Sequence, residues 1–288
     1  MGEREKKMIY LILAIASSAS ISIMMRASEK YVKNEMAMFM ANYGVCMMMS
    51  LGLMDDMTQV TNLVVQSDKI TLILGILSGV MYLANFLFYK YNMKQNGIVM
   101  SATFMKLGVL VPTIMAVVVF QEIPRLTQVL GILVAIGAII LINFEKNALS
   151  ESRHMIWLLV LLLLSGFTDS MANVFDEIGD AGMKDAYLLV TFGTALFITI
   201  GCICLKKMKI EMKEILFGAC IGIPNYLSSR FLLLALEDIE AVLVYPTYSV
   251  ATMIVIMVVG VLVFHEQLSK KKVCALGLIL TSIALLNV

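Results

Sequence analysis

Long runs of apolar residues leave this chain one kind of environment. The stretch "GVLVPTIMAVVVF", residues 108–120, is typical. Measured against the ~20 residues that cross a bilayer as a helix, the apolar runs predict ten spans, at about 8–25, 36–54, 70–89, 98–120, 127–144, 155–175, 186–205, 215–235, 241–264 and 273–288. A peptide group in hydrocarbon has no water to bond, so each run is predicted to be α-helical. Sixty per cent of the residues are apolar and 15% charged, too little polar surface to coat a soluble domain of this size. The start, "MGEREKKMIYLILAIASSAS", has the form of a secretory signal, but a counterpart in the second half makes it the first helix.

That counterpart comes from a duplication. "VVVFQEIP" at 117–124 returns as "VLVFHEQL" at 261–268, and residues 97–144 align with 241–288 without a gap. Thr103 pairs with Thr247, Phe120 with Phe264, Glu122 with Glu266 and Asn143 with Asn287. The first and sixth spans also correspond, Ser18 with Ser165, Ser22 with Asp169 and Glu29 with Asp176. The third and eighth each carry Gly-x-x-x-Gly, Gly75/Gly79 and Gly218/Gly222, a spacing that lets two helices approach closely. Residues 1–144 and 145–288 therefore read as two five-helix units. Five is odd, so the copies enter the membrane from opposite faces, an inverted repeat of the kind associated with alternating access. Glu122 and Glu266 then mark the water boundary at each face and serve structurally.

Ten spans in two five-helix repeats, each with Phe-x-Glu before its last helix, resemble the drug/metabolite transporter superfamily, its EamA-like branch most closely. "VFHEQLSKKKVCALGLILTSIALL", "VFQEIPRLTQVLGILVAIGAIIL" and "GIPNYLSSRFLLLALEDIEAVLVYPTYSV" carry the resemblance. It implies an all-α, multi-pass carrier in the plasma or inner membrane, moving a small polar metabolite, amino acid or drug-like solute, often by efflux. The arginine usual after the second glutamate is replaced by Gln267 and Lys270–Lys272.

Charges inside the spans narrow the site. Of 22 basic residues only Lys106 and Arg230 fall well inside a span, and of 21 acids only Asp169. Each costs roughly 2.5–3.5 kcal/mol at the bilayer centre on the insertion scale, so each needs a partner or a wet cavity. Ser165, Asp169, Asn173 and Asp176 form one helical stripe. Tyr82 and Asn85 on the third span, Asn225 on the eighth, and Tyr245 and Tyr248 on the ninth add polar faces. Pro112 and Pro246 are expected to bend their helices and free carbonyls. Asp169 and Arg230 lie at similar depth by count and are expected to pair or share a site. Lys106 or Arg230 would attract an anionic group, and Asp169 an amine or a coupling proton.

Several classes are excluded or demoted. The net charge of +1 carries no nucleic-acid footprint. The five cysteines form no CxxC pair, His154 and His265 lack metal spacing, and the 24 methionines are spread along the spans as flexible packing. No metal, no cofactor and no enzymatic activity are expected. The expected partners are the solute, the lipid bilayer and protons; a homodimer is compatible with the pattern. Rival readings are a non-transporting membrane subunit or regulator, and a cation carrier, for example of magnesium, which would favour an acid-lined pore. Sidedness is in conflict. The face bearing the termini carries six basic residues and the opposite face fourteen, which places both termini outside, whereas the resemblance implies both inside.

Overall fold

In a computed structural model the protein consists of helices joined by turns and short irregular segments in the residues that the structure describes, which are 3–28, 31–54, 56–63, 69–96, 104–105, 108, 110–118, 121, 123–143, 155–237 and 239–262, with 274, 277–278, 281–282 and 285 beyond them. The helices are α1 (Glu3–Ser28), α2 (Glu35–Gly52), the short α3 (Thr58–Thr61), α4 (Lys69–Asn96), α5 (Leu110–Val118), α6 (Leu126–Asn143), α7 (Met155–Ile178), α8 (Lys184–Lys206), α9 (Met212–Leu236) and α10 (Ala241–Leu262). Five are long and apolar enough to cross a membrane: Met8–Met25, Lys69–Tyr89, Ile156–Ile178, Lys184–Lys206 and Met212–Leu236. Leu126–Ala138 and Leu243–Ile256 are shorter apolar segments.

Local chemistry sets the helix ends. The Asn34 side chain caps α2 by accepting from the Ala37 N–H. Glu211 and Glu214 form a reciprocal capping box at the start of α9. At the end of α8, Lys207 takes the left-handed conformation at φ 48° and the Met208 N–H returns to the Ile203 carbonyl at 3.1 Å, so the chain turns out of the helix at once. Pro112 is the third residue of α5, where a missing N–H leaves no helical bond unmade. Pro246 lies inside α10. Pro224, whose role sequence reading overlooked, lies inside α9.

The helices group into two compact units. Unit 1 takes residues 1–83 and 174–237, and unit 2 takes 84–173 and 238–288. Each unit thus draws on both halves of the sequence, and α4 and α7 contribute to both.

In unit 1, α9 packs between α1 and α2, and α2 also packs on α8. The Gly-x-x-x-Gly pairs explain two of its interfaces. A Cβ at Gly75 would lie 2.7 Å from Val190 Cβ, and one at Gly79 2.7 Å from Thr194 Cβ and against the Thr191 carbonyl. A Cβ at Gly218 would lie 2.7 Å from Ala41 Cβ and against the Met38 carbonyl, and one at Gly222 2.6 Å from the Asn42 carbonyl. So α4 presses its glycines into α8, and α9 presses its own into α2. The partners correspond: Val190 stands to Gly75 as Ala41 to Gly218, and Thr194 to Gly79 as Val45 to Gly222.

In unit 2, α10 packs on α5 and α6, with Ala135, Ala138 and Val250 forming a buried cluster. Another close approach joins Gly108 to Gly166, where a Cβ on Gly108 would lie 2.9 Å from the Gly166 nitrogen. Gly108 is in a turn, its N–H bonded to the Met105 carbonyl. Gly108 and Val111 are thereby seated on α7 beside Ser165 and Gly166.

Candidate functional site

The predicted site residues divide between the two units. Asn85, Lys106, Asp169, Asn173, Tyr245 and Tyr248 belong to unit 2; Tyr82, Asn225 and Arg230 belong to unit 1. Lys106, Glu122 and Glu266 lie outside the described residues.

In unit 2 the polar stripe of α7 is real. Ser165 and Asn173 are buried while Asp169, between them on the same stripe, is exposed. Tyr245 is buried and its hydroxyl donates to the Asp169 carbonyl at 2.8 Å, pinning α10 to α7 at the acid's own residue. Among the described residues, Asn173 Nδ2, Asn85 Oδ1 and Thr252 Oγ1 are buried without a hydrogen-bond partner. Leaving such a group unmatched costs about 1–3 kcal/mol. Asn173 offers a donor and Asn85 an acceptor. Tyr248 is half-buried on α10. A span helix with an exposed carboxylate between a buried serine and a buried amide can hold a cationic or hydrogen-bonding solute, or a proton.

In unit 1 the predicted residues hold helices together. Asn225 Nδ2 donates to Asn42 Oδ1 at 3.2 Å, joining α9 to α2. The Tyr82 hydroxyl lies 3.4 Å from Ser229 Oγ. Arg230 is the nineteenth residue of the 25 in α9. Its guanidinium lies 3.3 Å from Asp185 Oδ1, bonds the Tyr226 hydroxyl at 2.9 Å and reaches the Leu53 carbonyl. The expected partner, Asp169, belongs to the other unit.

Sequence reading missed Lys184 and Asp185, because the start of α8 looked like an ordinary loop charge. Lys184 Nζ lies 2.6 Å from Glu237 Oε1 and 3.3 Å from Asp176 Oδ1. Together with Gln59, Leu188, Arg230, Leu233, Leu234 and Glu237 these two line a cleft of about 180 Å³. The sequence signal was there: Lys184-Asp185 opens an apolar run, and Asp185 suits the positive end of the helix. Among the described residues no cluster of His, Cys, Asp and Glu could hold a metal ion.

Helices of membrane-crossing length and composition, packed through small residues and enclosing a few polar side chains, define an all-helical, multi-pass membrane protein. Residues 7–144 match the EamA-like transporter family, and residues 185–279 match the Small Multidrug Resistance protein family; the sequence resemblance to the drug/metabolite transporter superfamily is thereby borne out. The protein is a membrane transporter of small solutes. An uncharacterized protein of Haemophilus influenzae is 22% identical over 269 residues, 90% of this chain and 91% of its own length. One solved crystal structure, at 12% identity, superposes with a TM-score of 0.75 over 98% of this chain and 96% of the other, a likeness of fold.

Proposed function

We propose that the chain is an alternating-access carrier whose two five-helix repeats, 1–144 and 145–288, are inverted relative to one another. It exports a small polar metabolite, amino acid or drug-like solute across the plasma or inner membrane. One observation carries this reading: Asp169, on a helix long enough to span the bilayer, presents an exposed carboxylate between two buried polar residues. Hydrocarbon does not tolerate an open carboxylate at mid-span, so water or solute must reach it. The crossed packing of α4 on α8 and α9 on α2 within unit 1, residue for corresponding residue, supports two inverted sequence repeats, the arrangement that alternating access uses.

In this reading Asp169 receives an amine or carries the coupling proton, Asn173 and Asn85 supply hydrogen bonds, and Lys106 meets an anionic group. Tyr245 holds α10 in register and Tyr248 lines the same path. Arg230, Tyr82 and Asn225 keep unit 1 assembled. The lysine-rich face, opposite the termini, is cytoplasmic by the positive-inside rule; a reporter fused after Val288 reads the orientation directly. Uptake into liposomes with and without a pH gradient tests the mechanism. Asp169→Asn and Lys106→Ala proteins that melt like the wild type should lose gradient-driven transport. Undiminished transport by both would sink the assignment.

A further inference from the structure

At one end of unit 1, the α1–α2 and α8–α9 connections are locked into a single platform. The Asn34 N–H donates to Glu214 Oε1 at 2.6 Å and Asn34 Nδ2 to the Lys209 carbonyl at 2.8 Å. Glu214 Oε2 accepts from the Glu211 N–H at 2.9 Å, so this buried carboxylate has both oxygens occupied by backbone donors. Of the other acids there, Glu211 lies 3.9 Å from Lys33 and Glu35 sits in the first turn of α2. The platform presents Lys206, Lys207, Lys209 and Lys213, all exposed, and among the described residues none of these four has an ion-pair partner. Three fall in four consecutive positions, where Lys207, in the left-handed conformation, ends the helix and redirects the chain.

Immediately beside these charges are Leu205, 86% exposed, and Met212, 68% exposed, which belong against acyl chains. Tyr31 is also exposed and stacks on Phe217 with ring centroids 5.6 Å apart, an aromatic pair suited to headgroup depth. Lysines above lipid-facing apolar side chains, on a pre-organised loop, match an anionic phospholipid: phosphate and charge on the lysines, chains along Leu205 and Met212.

We infer that the Lys206–Lys213 platform is a binding site for the headgroup of an anionic phospholipid. The test compares the full-length protein in nanodiscs of phosphatidylcholine alone and with phosphatidylglycerol as the minor lipid. Wild-type protein should retain phosphatidylglycerol over phosphatidylcholine on extraction by roughly fivefold per well-placed lysine, and melt higher in the mixed discs. The K206Q/K207Q/K209Q/K213Q protein should lose both increments while melting normally in phosphatidylcholine. If the fourfold variant does not fold, K206Q/K207Q and K209Q/K213Q should each lose part of the enrichment. Enrichment that survives every substitution overturns the proposal. So does its absence from the wild type, or a melting rise reproduced by inorganic phosphate in phosphatidylcholine discs, which would make the ligand a free anion.

Discussion

Arg230, on the last turns of α9, faces Asp185, in the first turn of α8, with 3.3 Å between the guanidinium nitrogen and the carboxylate oxygen. The Asp185 side chain is 8% exposed and that of Arg230 16%. Two charges withdrawn from water this far depend on each other. Arg230→Ala should therefore cost about 3–5 kcal/mol, the penalty for leaving a buried carboxylate unpaired, seen as a large fall in melting temperature. Removing both charges with Arg230→Met and Asp185→Asn should recover most of it. A wild-type melt for Arg230→Ala alone would return this arginine to the list of solute contacts.

The glycine interfaces make a graded prediction. Gly79 and Gly222 have no room for a side chain: a Cβ at Gly222 would sit 2.6 Å from the Asn42 carbonyl, and one at Gly79 would overlap the Thr191 carbonyl. Backbone cannot yield as a flexible side chain can, so Gly79→Ala and Gly222→Ala should each destabilise by about 1–3 kcal/mol. Gly201, in the same unit, has nothing within 4 Å of its Cβ position. Gly201→Ala should hold or gain about 0.5–1 kcal/mol through helix propensity. Equal melts for all three would remove close backbone approach as the reason for the motif.

Asn173 separates stability from function. Its amide nitrogen is buried and unpartnered among the described residues. Asn173→Leu deletes an uncompensated polar group, so the melt should rise or hold, by up to about 1–3 kcal/mol. Transport should fall, since a donor held for solute is lost. A lower melt with normal transport would mean that the amide is bonded within the fold, and would end its role in the path.

Tyr245→Phe removes the hydroxyl that donates to the Asp169 carbonyl. The loss should be about 0.5–1.5 kcal/mol in stability. A larger fractional loss of transport would follow, because α10 is no longer pinned beside the acid. Unchanged transport would make this bond ordinary interhelical glue.

Much of the fold could be read directly from the residues. Apolar runs gave away membrane-crossing segments, five of which have that length and composition among the described residues, because a membrane demands length and oiliness of each segment separately. The aligned "VFQEIP" and "VFHEQL" disclosed the duplication. The stripe of Ser165, Asp169 and Asn173 was legible because all three lie on one helix, where spacing fixes the face. Partners on other helices were not. Arg230 was assigned to Asp169 by counting residues along two predicted spans, and a count along single helices does not say which helices meet. Asp185, its neighbour in space, lies 45 positions away in sequence at what looked like a loop.

The amino-acid sequence by itself thus determined the solvent and the helical character, since those depend on local composition and periodicity. Only the tertiary structure decided that each compact unit takes helices from both halves, that the glycine pairs cross between them, and that Arg230 and Lys184 meet carboxylates at one end of unit 1 while Asp169 is exposed in unit 2. Those outcomes rest on which helix packs against which, and a bilayer-spanning chain sets that through side-chain fit and charge pairing between distant segments, which no single stretch of sequence contains.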